Sequence, residues 1–378
     1  MILDIDRRLF GWSGAVAVLV LGGLILLPAG LLEGEPASLV SGIADAAPVG
    51  FAALLFVGSL AVVSRRLVAA EGLFAAAAGI VLGIVLLLRI RDGLVFAGGA
   101  WASALALLAI VALVWRGMAL LATVGDRWAR LAVPMLFGGL LVYLWEILAV
   151  GFRVPPVLLP APSVVADTFA ANLFTLGVDF HQTFIKSVIP GFVIGSGSGF
   201  LVAVAIDRSP FLQRGLQPLG NAISAMPIVG IAPIMVMWFG FDWQSKAAVV
   251  VVMTFFPMLI NTLAGLQVAG AMERDLMRSY AASYPQTLLK LRLPGALPFV
   301  FNALKLNSTL ALIGAIVAEF FGTPIQGMGF RISTEVARLN VDFVWATIAV
   351  AALAGSASYG ALALLERTLT FWHPSQRS

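Results

Sequence analysis

The segment YAASYPQTLLKLRLPGALP, residues 280–298, places a lysine, an arginine and three prolines among leucines in a 378-residue chain that is otherwise strongly apolar. Ser283 and Gln286 stand three residues apart, a capping-box pattern that predicts a helix start with a proline tolerated in its first turn. Pro294 is expected to end that helix. Residues 275–280 suit another short helix, so the segment predicts two short helices joined by a turn.

The leucines of 288–293 are too closely flanked by polar residues to span a membrane and too apolar for a free loop. Two interpretations are about equally supported by these features alone. In the first, the segment is an amphipathic helix that rests on lipid. In the second, the leucines pack on the protein's own spans and polar side chains face a cytoplasmic partner. Those side chains are Asp275, Arg278, Tyr280 and Tyr284.

The composition is that of an integral membrane protein. Hydrophobic residues make up 61% of the chain and charged residues 11%, and the mean hydropathy is +1.01, a balance that soluble folds of this length do not show. The chain has no cysteine and two distant histidines, His181 and His373, which excludes a catalytic thiol and a multi-histidine metal site. The net charge of +4 is too small to indicate nucleic-acid binding.

Ten segments are apolar over roughly the 20 residues that a membrane-spanning helix needs. They predict an all-α polytopic helix bundle. Asp4 and Asp6 dilute the basic N-terminal region, which argues against a cleaved signal peptide. The predicted spans lie at 12–32, 47–63, 73–88, 95–115, 131–151, 184–206, 222–240, 246–267, 300–321 and 343–365.

The distribution of lysine and arginine predicts how the spans are oriented. With the N-terminus inside, 15 of the 23 basic residues lie in cytoplasmic connections, seven lie outside and Lys305 lies within a span. The positive-inside rule favours this arrangement. Both termini and the 280–298 segment are therefore expected in the cytoplasm, and the connection over 152–183 outside.

The chain is not expected to bind nucleotide phosphates by itself, because it has no Gly-x-x-x-x-Gly-Lys-Ser/Thr sequence. The glycine-rich stretch GFVIGSGSGF, residues 191–200, lacks the lysine. Its Gly191, Gly195 and Gly199 recur at every fourth residue, which is typical of close helix packing in membranes. Energy for uphill transport would have to come from another subunit.

Residues 275–298, DLMRSYAASYPQTLLKLRLPGALP, resemble the cytoplasmic coupling loop of ATP-binding-cassette (ABC) importer permeases, which begins Glu-Ala-Ala, has a glycine six residues after the Glu and ends in Leu-Pro. The nearest branch is that of nitrate, sulfonate and taurine permeases, which includes permeases for thiamine-pyrimidine precursors and riboflavin. The resemblance begins near residue 131. Its further motifs are VPPVLLPAPSVV (154–165), MPIVGIAPIMVMWFG (226–240), FFPMLINTLAGL (255–266), IGAIVAEFFGTPIQGMG (313–329) and WHPS (372–375).

The apolar segments of residues 1–130 fall outside the resemblance and predict an added bundle of about four spans. The resemblance implies a type I ABC importer permease core of about six spans over 131–378, with the coupling loop at 269–299. It also implies a multi-pass bacterial inner-membrane location and three partners, namely a cytoplasmic ATPase dimer that carries ATP and Mg, an extracytoplasmic solute-binding protein, and a second copy or a homologous permease. This chain itself would bind no cofactor. The implied coupling residues are Asp275, Arg278, Ser279, Tyr280, Ala281, Ala282, Ser283, Tyr284 and Pro294.

The coupling-loop segment departs from the family pattern in two places. Residues 275–277, Asp-Leu-Met, stand where the family has Glu-Ala-Ala, so the carboxylate is kept but the small residues are not. Ala281 replaces the glycine, and the turn cannot rely on glycine's easy access to positive φ.

By the same resemblance, the seventh to ninth spans line the solute path. Interhelical hydrogen bonding is the alternative role for each polar residue there. Glu319 stands at the outer end of its span, where it can also reach water, and Glu146 is expected to make a structural pair. Pro227 and Pro257 predict helix bends. The implied path residues are Asn221, Ser224, Met226, Asn261, Thr262, Asn307, Ser308, Thr309 and Glu319.

Three functions are compatible with a chain of this kind. A permease subunit of an ABC importer is favoured by the resemblance. A stand-alone secondary transporter or channel would show an inverted repeat or a buried carboxylate relay, and neither is evident. A membrane enzyme would need clustered histidine and acidic residues. The shortage of basic residues within the spans slightly favours a neutral or aromatic heterocycle over nitrate or a sulfonate as solute.

Overall fold

The computed structural model divides the chain into two compact units, Met1–Val164 and Val165–Ser378. The domain boundary that the sequence places at residue 130 stays a prediction. The residues described are 28–32, 35–38, 68–92, 94, 101–209, 211, 215, 227–322 and 324–372.

The described part of the first unit forms a short β-hairpin and three long helices. The two strands pair in antiparallel register. Leucine, isoleucine and valine side chains from the three helices form a shared apolar core, and the Tyr143 hydroxyl donates to the Gly83 carbonyl across two of them at 3.0 Å. The elements are β1 (Pro28–Leu32), β2 (Glu35–Ser38), α1 (Val68–Arg91), α2 (Trp101–Ala122) and α3 (Arg127–Gly151).

The predicted first span, 12–32, is wrong at its end. Residues 28–32 form strand β1, because Pro28 and Gly30 are poor helix formers and the backbone pairs with β2 instead. The remainder of that span and the predicted span at 47–63 lie outside the described residues. The other predicted spans of this unit are confirmed as helices: 73–88, 95–115 from residue 101 onward, and 131–151.

The second unit is entirely helical in its described part. Two of its helices contain wider π-helical turns, at His181–Val188 and Leu288–Arg292. With the helix that leads into it, the unit contains α4 (Pro162–Ala171), α5 (Leu173–Ile206), α6 (Ile228–Phe239), α7 (Trp243–Leu266), α8 (Ala271–Ser279), α9 (Tyr284–Glu319), α10 (Met328–Ala337) and α11 (Val341–Leu369).

The prediction of an all-α polytopic bundle is confirmed for the long elements, whereas the short hairpin of β1 and β2 was not predicted. Within the described residues, six helical stretches are long and apolar enough to cross a membrane, and two more, Ala106–Ala122 and Val229–Phe239, are apolar but shorter. The predicted spans at 184–206, 246–267, 300–321 and 343–365 correspond to α5, α7, α9 and α11. Of the predicted span at 222–240, residues 228–239 form α6, and residues 222–226 lie outside the described residues.

Helix α5 packs on α7 through its glycines, as the four-residue repeat predicts. A Cβ atom at Gly191 would lie 2.6 Å from the Val250 Cβ, and one at Gly195 would lie 2.7 Å from the Val251 carbonyl oxygen. These separations are shorter than van der Waals contact, so only glycine lets the two backbones approach this closely. The glycine-rich stretch is a packing surface.

Pro294 does not end a helix, contrary to prediction. Helix α9 runs from Tyr284 to Glu319 without interruption. In the π-helical turn before it, the Leu293 N–H donates to the Leu288 carbonyl, five residues back. Pro294 therefore enters the following α-helical turn at a position where its missing N–H is tolerated.

Candidate functional site

Helix α8 and the first turns of α9 form a helical hairpin, residues 271–292, at one end of the second unit. Helix α8 ends in a Schellman motif, because the Ala281 N–H donates to the Arg278 carbonyl at 2.8 Å and the Ala282 N–H to the Met277 carbonyl at 3.0 Å. Ala281 has a φ of +53°, the left-handed conformation that usually belongs to glycine. The turn thus keeps the glycine geometry although the sequence departs from it.

The start of α9 follows the capping box that the sequence predicts. The Ser283 N–H donates to the Gln286 side chain at 2.8 Å, and the Ser283 side chain accepts from the Gln286 N–H in return. Both ends of the turn are therefore fixed by local hydrogen bonds.

The tip of the hairpin presents polar and aromatic side chains to the surroundings. Tyr280 is 78% exposed, and Asp275 and Arg278 form an exposed ion pair at 3.1 Å. An exposed pair of this kind contributes little to folding. Ser279 and Ser283 are also exposed, and Ala282 is half-buried. The exposed side chains of Asp275, Arg278 and Tyr280 are therefore available to a partner.

Tyr284 differs from its neighbours at the tip, because it belongs to the base of the hairpin. Its hydroxyl donates to the Asp207 carboxylate at 2.8 Å, and the Arg208 guanidinium lies 3.9 Å from its ring centre. Arg292 donates to the same carboxylate at 2.5 and 2.8 Å. The sequence did not predict the ion pair between Asp207 and Arg292, because the two residues lie 85 positions apart.

Asn307 and Thr309, both on helix α9, lie on different sides of that helix. Asn307 is fully buried and donates to the Ser196 hydroxyl at 3.0 Å and to the Thr254 carbonyl at 2.7 Å, so it links α9 to α5 and α7. Thr309 is exposed. Asn302, seven residues before Thr309, is exposed on the same side and was missed by sequence reasoning, although the seven-residue spacing could have revealed it.

The exposed side of α9 is a continuous stripe that we call the free face. Its members are spaced by four, three and four residues, as the exposed side of one helix requires. Two are polar and two are apolar, and they are Asn302, Leu306, Thr309 and Ile313.

The other predicted path residues are placed as follows. Asn221, Ser224 and Met226 lie outside the described residues. The Asn261 side chain donates to the Pro257 carbonyl at 2.8 Å, Thr262 is fully buried, and Ser308 donates to the Lys305 carbonyl at 2.7 Å.

Glu319 does not reach water at the end of its span, because it is only 3% exposed. Its carboxylate accepts from the Thr183 hydroxyl at 2.8 Å and from the Gly329 N–H at 2.6 Å. Nearby, Asp179 accepts from the Gly327 N–H at 2.8 Å and from Arg331 at 2.7 Å. These two carboxylates hold the start of α10 against α5 and α9.

Glu146 makes the structural pair that the sequence predicts. It accepts from the Ser163 N–H at 2.9 Å and from the Ser163 hydroxyl at 2.7 Å. The carboxylate therefore satisfies the first turn of α4 (Pro162–Ala171), where backbone N–H groups have no partner within the helix.

The long apolar helices and the exposed helical hairpin together define a polytopic membrane transport subunit. Residues 191–371 match the family of binding-protein-dependent transport system inner membrane components. The chain belongs to this family and is the permease subunit of an ABC importer. It is a multi-pass inner-membrane protein.

The similar proteins are named for the transport of several classes of solute. The chain is 30% identical over 250 residues to the formylaminopyrimidine transport permease protein of Halalkalibacterium halodurans, covering 64% of this chain and 96% of that one. It is 29% identical over 254 residues to the riboflavin transport system permease protein of Chloroflexus aurantiacus, covering 66% and 92%. It is 27% identical over 242 residues to a putative aliphatic sulfonates transport permease protein of Bacillus subtilis, covering 64% and 87%.

The turn offers a direct test of its strained residue. Substituting Ala281→Gly is expected to stabilise the hairpin by about 1 kcal/mol, because a side chain in the left-handed conformation costs about that much. Amide hydrogen exchange of the peptide that covers the hairpin should slow by about fivefold. The matched control Ala282→Gly, at a residue outside the left-handed region, should speed exchange. Slower exchange in both variants would contradict the strain.

Proposed function

We propose that the tip of the helical hairpin is the docking surface for a separate cytoplasmic ATPase dimer, and that ATP hydrolysis there drives solute import. The support is the exposure of Tyr280, Asp275 and Arg278 at the end of a base that is hydrogen-bonded to neighbouring spans. Exposed tyrosine and arginine on a rigid element are typical anchors of protein interfaces. In this proposal, ATP and Mg are bound by the ATPase and not by this chain.

The proposed orientation places the hairpin and both termini in the cytoplasm. Its support is the count of basic residues in the connections. The opposite end of the second unit, with Glu319 and α10, would then face the extracytoplasmic solute-binding protein. Reaction of single introduced cysteines with a membrane-impermeant reagent tests this, since the natural chain has none. Labelling of Met272→Cys in intact cells would contradict the orientation.

We further propose that the free face of α9 lines the solute path and that a second permease copy or homologue closes the path from the other side. Asn302 and Thr309 carry this proposal. Polar side chains on the exposed side of a spanning helix are costly against lipid, so they are expected to face protein or water. Asn307 is assigned to the interior of the bundle instead, because its amide is bonded to Ser196 and Thr254.

The solute class that fits this path is a neutral or aromatic heterocycle. The free face carries an amide, a hydroxyl and apolar side chains, and no charged residue among its four members. The nearby Lys305 is paired with Glu366 at 2.8 Å, which neutralises its charge. Among the similar proteins, the formylaminopyrimidine and riboflavin permeases are named for solutes of this class and the aliphatic sulfonates permease is not, so the lining of the path and not the relatives supports the choice. A sulfonate or nitrate would need a cation that this face does not supply.

The proposed solute path predicts different effects for substitutions of two asparagines on α9, one on uptake and one on stability. Asn302→Leu is expected to raise the KM for uptake by about tenfold with little change in folding, because it removes a hydrogen-bonding group from the path. Asn307→Leu is expected to lower thermal stability, because it breaks two buried bonds. Uptake by the reconstituted transporter, competed with pyrimidines, riboflavin, taurine and nitrate, measures the change in KM and the solute class. Thermal unfolding of the purified variants measures the change in stability. Unchanged uptake in Asn302→Leu, or competition by anions alone, would contradict the proposal.

One experiment distinguishes ATP-driven import from the alternative function, a secondary transporter or channel that needs no ATP. The permease is expressed together with ATPase and binding-protein subunits, and uptake into vesicles is measured with and without internal ATP. Uptake that requires ATP supports the proposal, and equal uptake without ATP supports the alternative function.

A further inference from the structure

Asp207 lies at the junction between α5 and the helical hairpin. It is the first residue after α5 (Leu173–Ile206), and its side chain has no exposed surface. The carboxylate accepts from both terminal nitrogens of Arg292 and from the Tyr284 hydroxyl. A buried carboxylate with three donors of fixed geometry is a specific connection, because a bidentate arginine tolerates little displacement.

Arg292 extends the connection to a third helix. Its Nε donates to the Leu266 carbonyl, the last residue of α7, at 2.9 Å. One guanidinium therefore joins the ends of α5 and α7 to the first part of α9. The arginine lies in the π-helical turn Leu288–Arg292, which sets its direction relative to the span that follows.

Tyr284 makes a second attachment, eight residues before Arg292. It directly follows Ser283, the residue that caps α9, so its bond to Asp207 holds the hairpin beside the turn itself. Arg208 covers the ring of Tyr284 at 3.9 Å. The start of α9 is thus fixed to the end of α5 at two points, so a displacement of this arm of the hairpin acts directly on Asp207.

Helix α5 is in turn fixed to α7 along its length. Gly191, Gly195 and Gly199 leave no room for a Cβ between the two backbones. A displacement of the end of α5 would therefore carry both spans with it. Interdigitated helices of this kind move as one body, because packed interiors deform little.

We propose that Asp207 is the positioning residue through which movement of the helical hairpin becomes movement of the α5–α7 pair. The inference rests on the proposed function, in which an ATPase moves the hairpin. Its alternative is a purely structural bond that only holds the hairpin for docking.

The test measures uptake and ATP hydrolysis together in the complete transporter with its ATPase and binding protein, reconstituted in vesicles. In Asp207→Asn and, separately, Tyr284→Phe, ATP hydrolysis is expected to stay within about twofold while solute imported per ATP falls about tenfold. Arg367→Gln, an exposed cation in the last turn of α11 and outside the helical hairpin, is the control and should change neither rate. Unchanged import per ATP in both variants, or a proportional fall of both rates, would overturn the proposal.

A distance measurement keeps the proposal testable if one variant assembles poorly. Spin labels at Met272→Cys on the hairpin and Leu201→Cys on α5 can be introduced without background, because the chain has no cysteine. Their separation should stay constant on nucleotide binding in the otherwise natural protein and should change when Asp207→Asn is added. Equal behaviour in both backgrounds would overturn the proposal. Uptake without ATP by the natural protein would instead reject the proposed function, and this inference with it.

Discussion

Replacing Tyr280 with alanine is expected to reduce ATP-driven uptake by about 30-fold, because a central aromatic anchor of an interface typically contributes about 2 kcal/mol or more. Tyr280 is 78% exposed. Its backbone N–H donates to the Leu276 carbonyl, and among the described residues its hydroxyl has no hydrogen-bond partner. The loss should therefore appear as weaker binding of the ATPase and not as unfolding. Co-purification of the ATPase and uptake into vesicles measure both.

Phe371→Ala is the matched control for this substitution. Phe371 is 70% exposed and lies near the end of α11, away from the helical hairpin in sequence. It should leave ATPase binding and uptake unchanged. Arg278→Ala in addition to Tyr280→Ala should abolish co-purification. Normal uptake in that double variant, with the ATPase still bound, would show that the hairpin tip is not the docking surface.

Gly195→Ala is expected to lower the free energy of unfolding by about 3 kcal/mol, the upper end of the usual cost of overpacking. The new methyl group would meet the Val251 carbonyl and the Thr254 hydroxyl. Backbone atoms of α7 cannot move aside as the end of a flexible side chain can, so the two helices must separate. The adjacent bond from Asn307 to Ser196 would weaken at the same time.

The control for the Gly195 substitution is Gly197, two residues further along α5. A Cβ at Gly197 would have open space around it, and this glycine is on the exposed side of the helix. Gly197→Ala should therefore leave stability unchanged or raise it slightly, because alanine favours a helix more than glycine does. Thermal unfolding of the two purified variants in the same detergent measures the difference. Equal unfolding temperatures would contradict the close packing of α5 on α7.

Several features could be predicted because their causes are local. The capping box needs only Ser283 and Gln286, which are one helical turn apart. The glycine ridge follows from a four-residue period, and the spans follow from apolar length. The resemblance to ABC importer permeases, carried by the motifs of 154–375, is confirmed by the family match and by the relatives.

Other features are also local, but they are decided by backbone hydrogen bonds that a pattern of residue types does not reveal. Ala281 adopts positive φ because the Schellman bonds at the end of α8 and the start of α9 fix the turn around it. Pro294 is accommodated because a π-helical turn precedes it. Sequence patterns identify these residues but do not contain the geometry that decides their conformation.

The sequence by itself determined that this chain crosses a membrane in helices, that it has the motifs of an importer permease, and where its helical hairpin lies. Only the tertiary structure decided that Asn307 is buried while Asn302 and Thr309 are exposed, that Glu319 is enclosed, and that Asp207 holds Arg292. The physical reason is the range of the interactions. Hydropathy and capping act within a few turns, whereas the direction of a polar side chain on a span is fixed by helices tens of residues away.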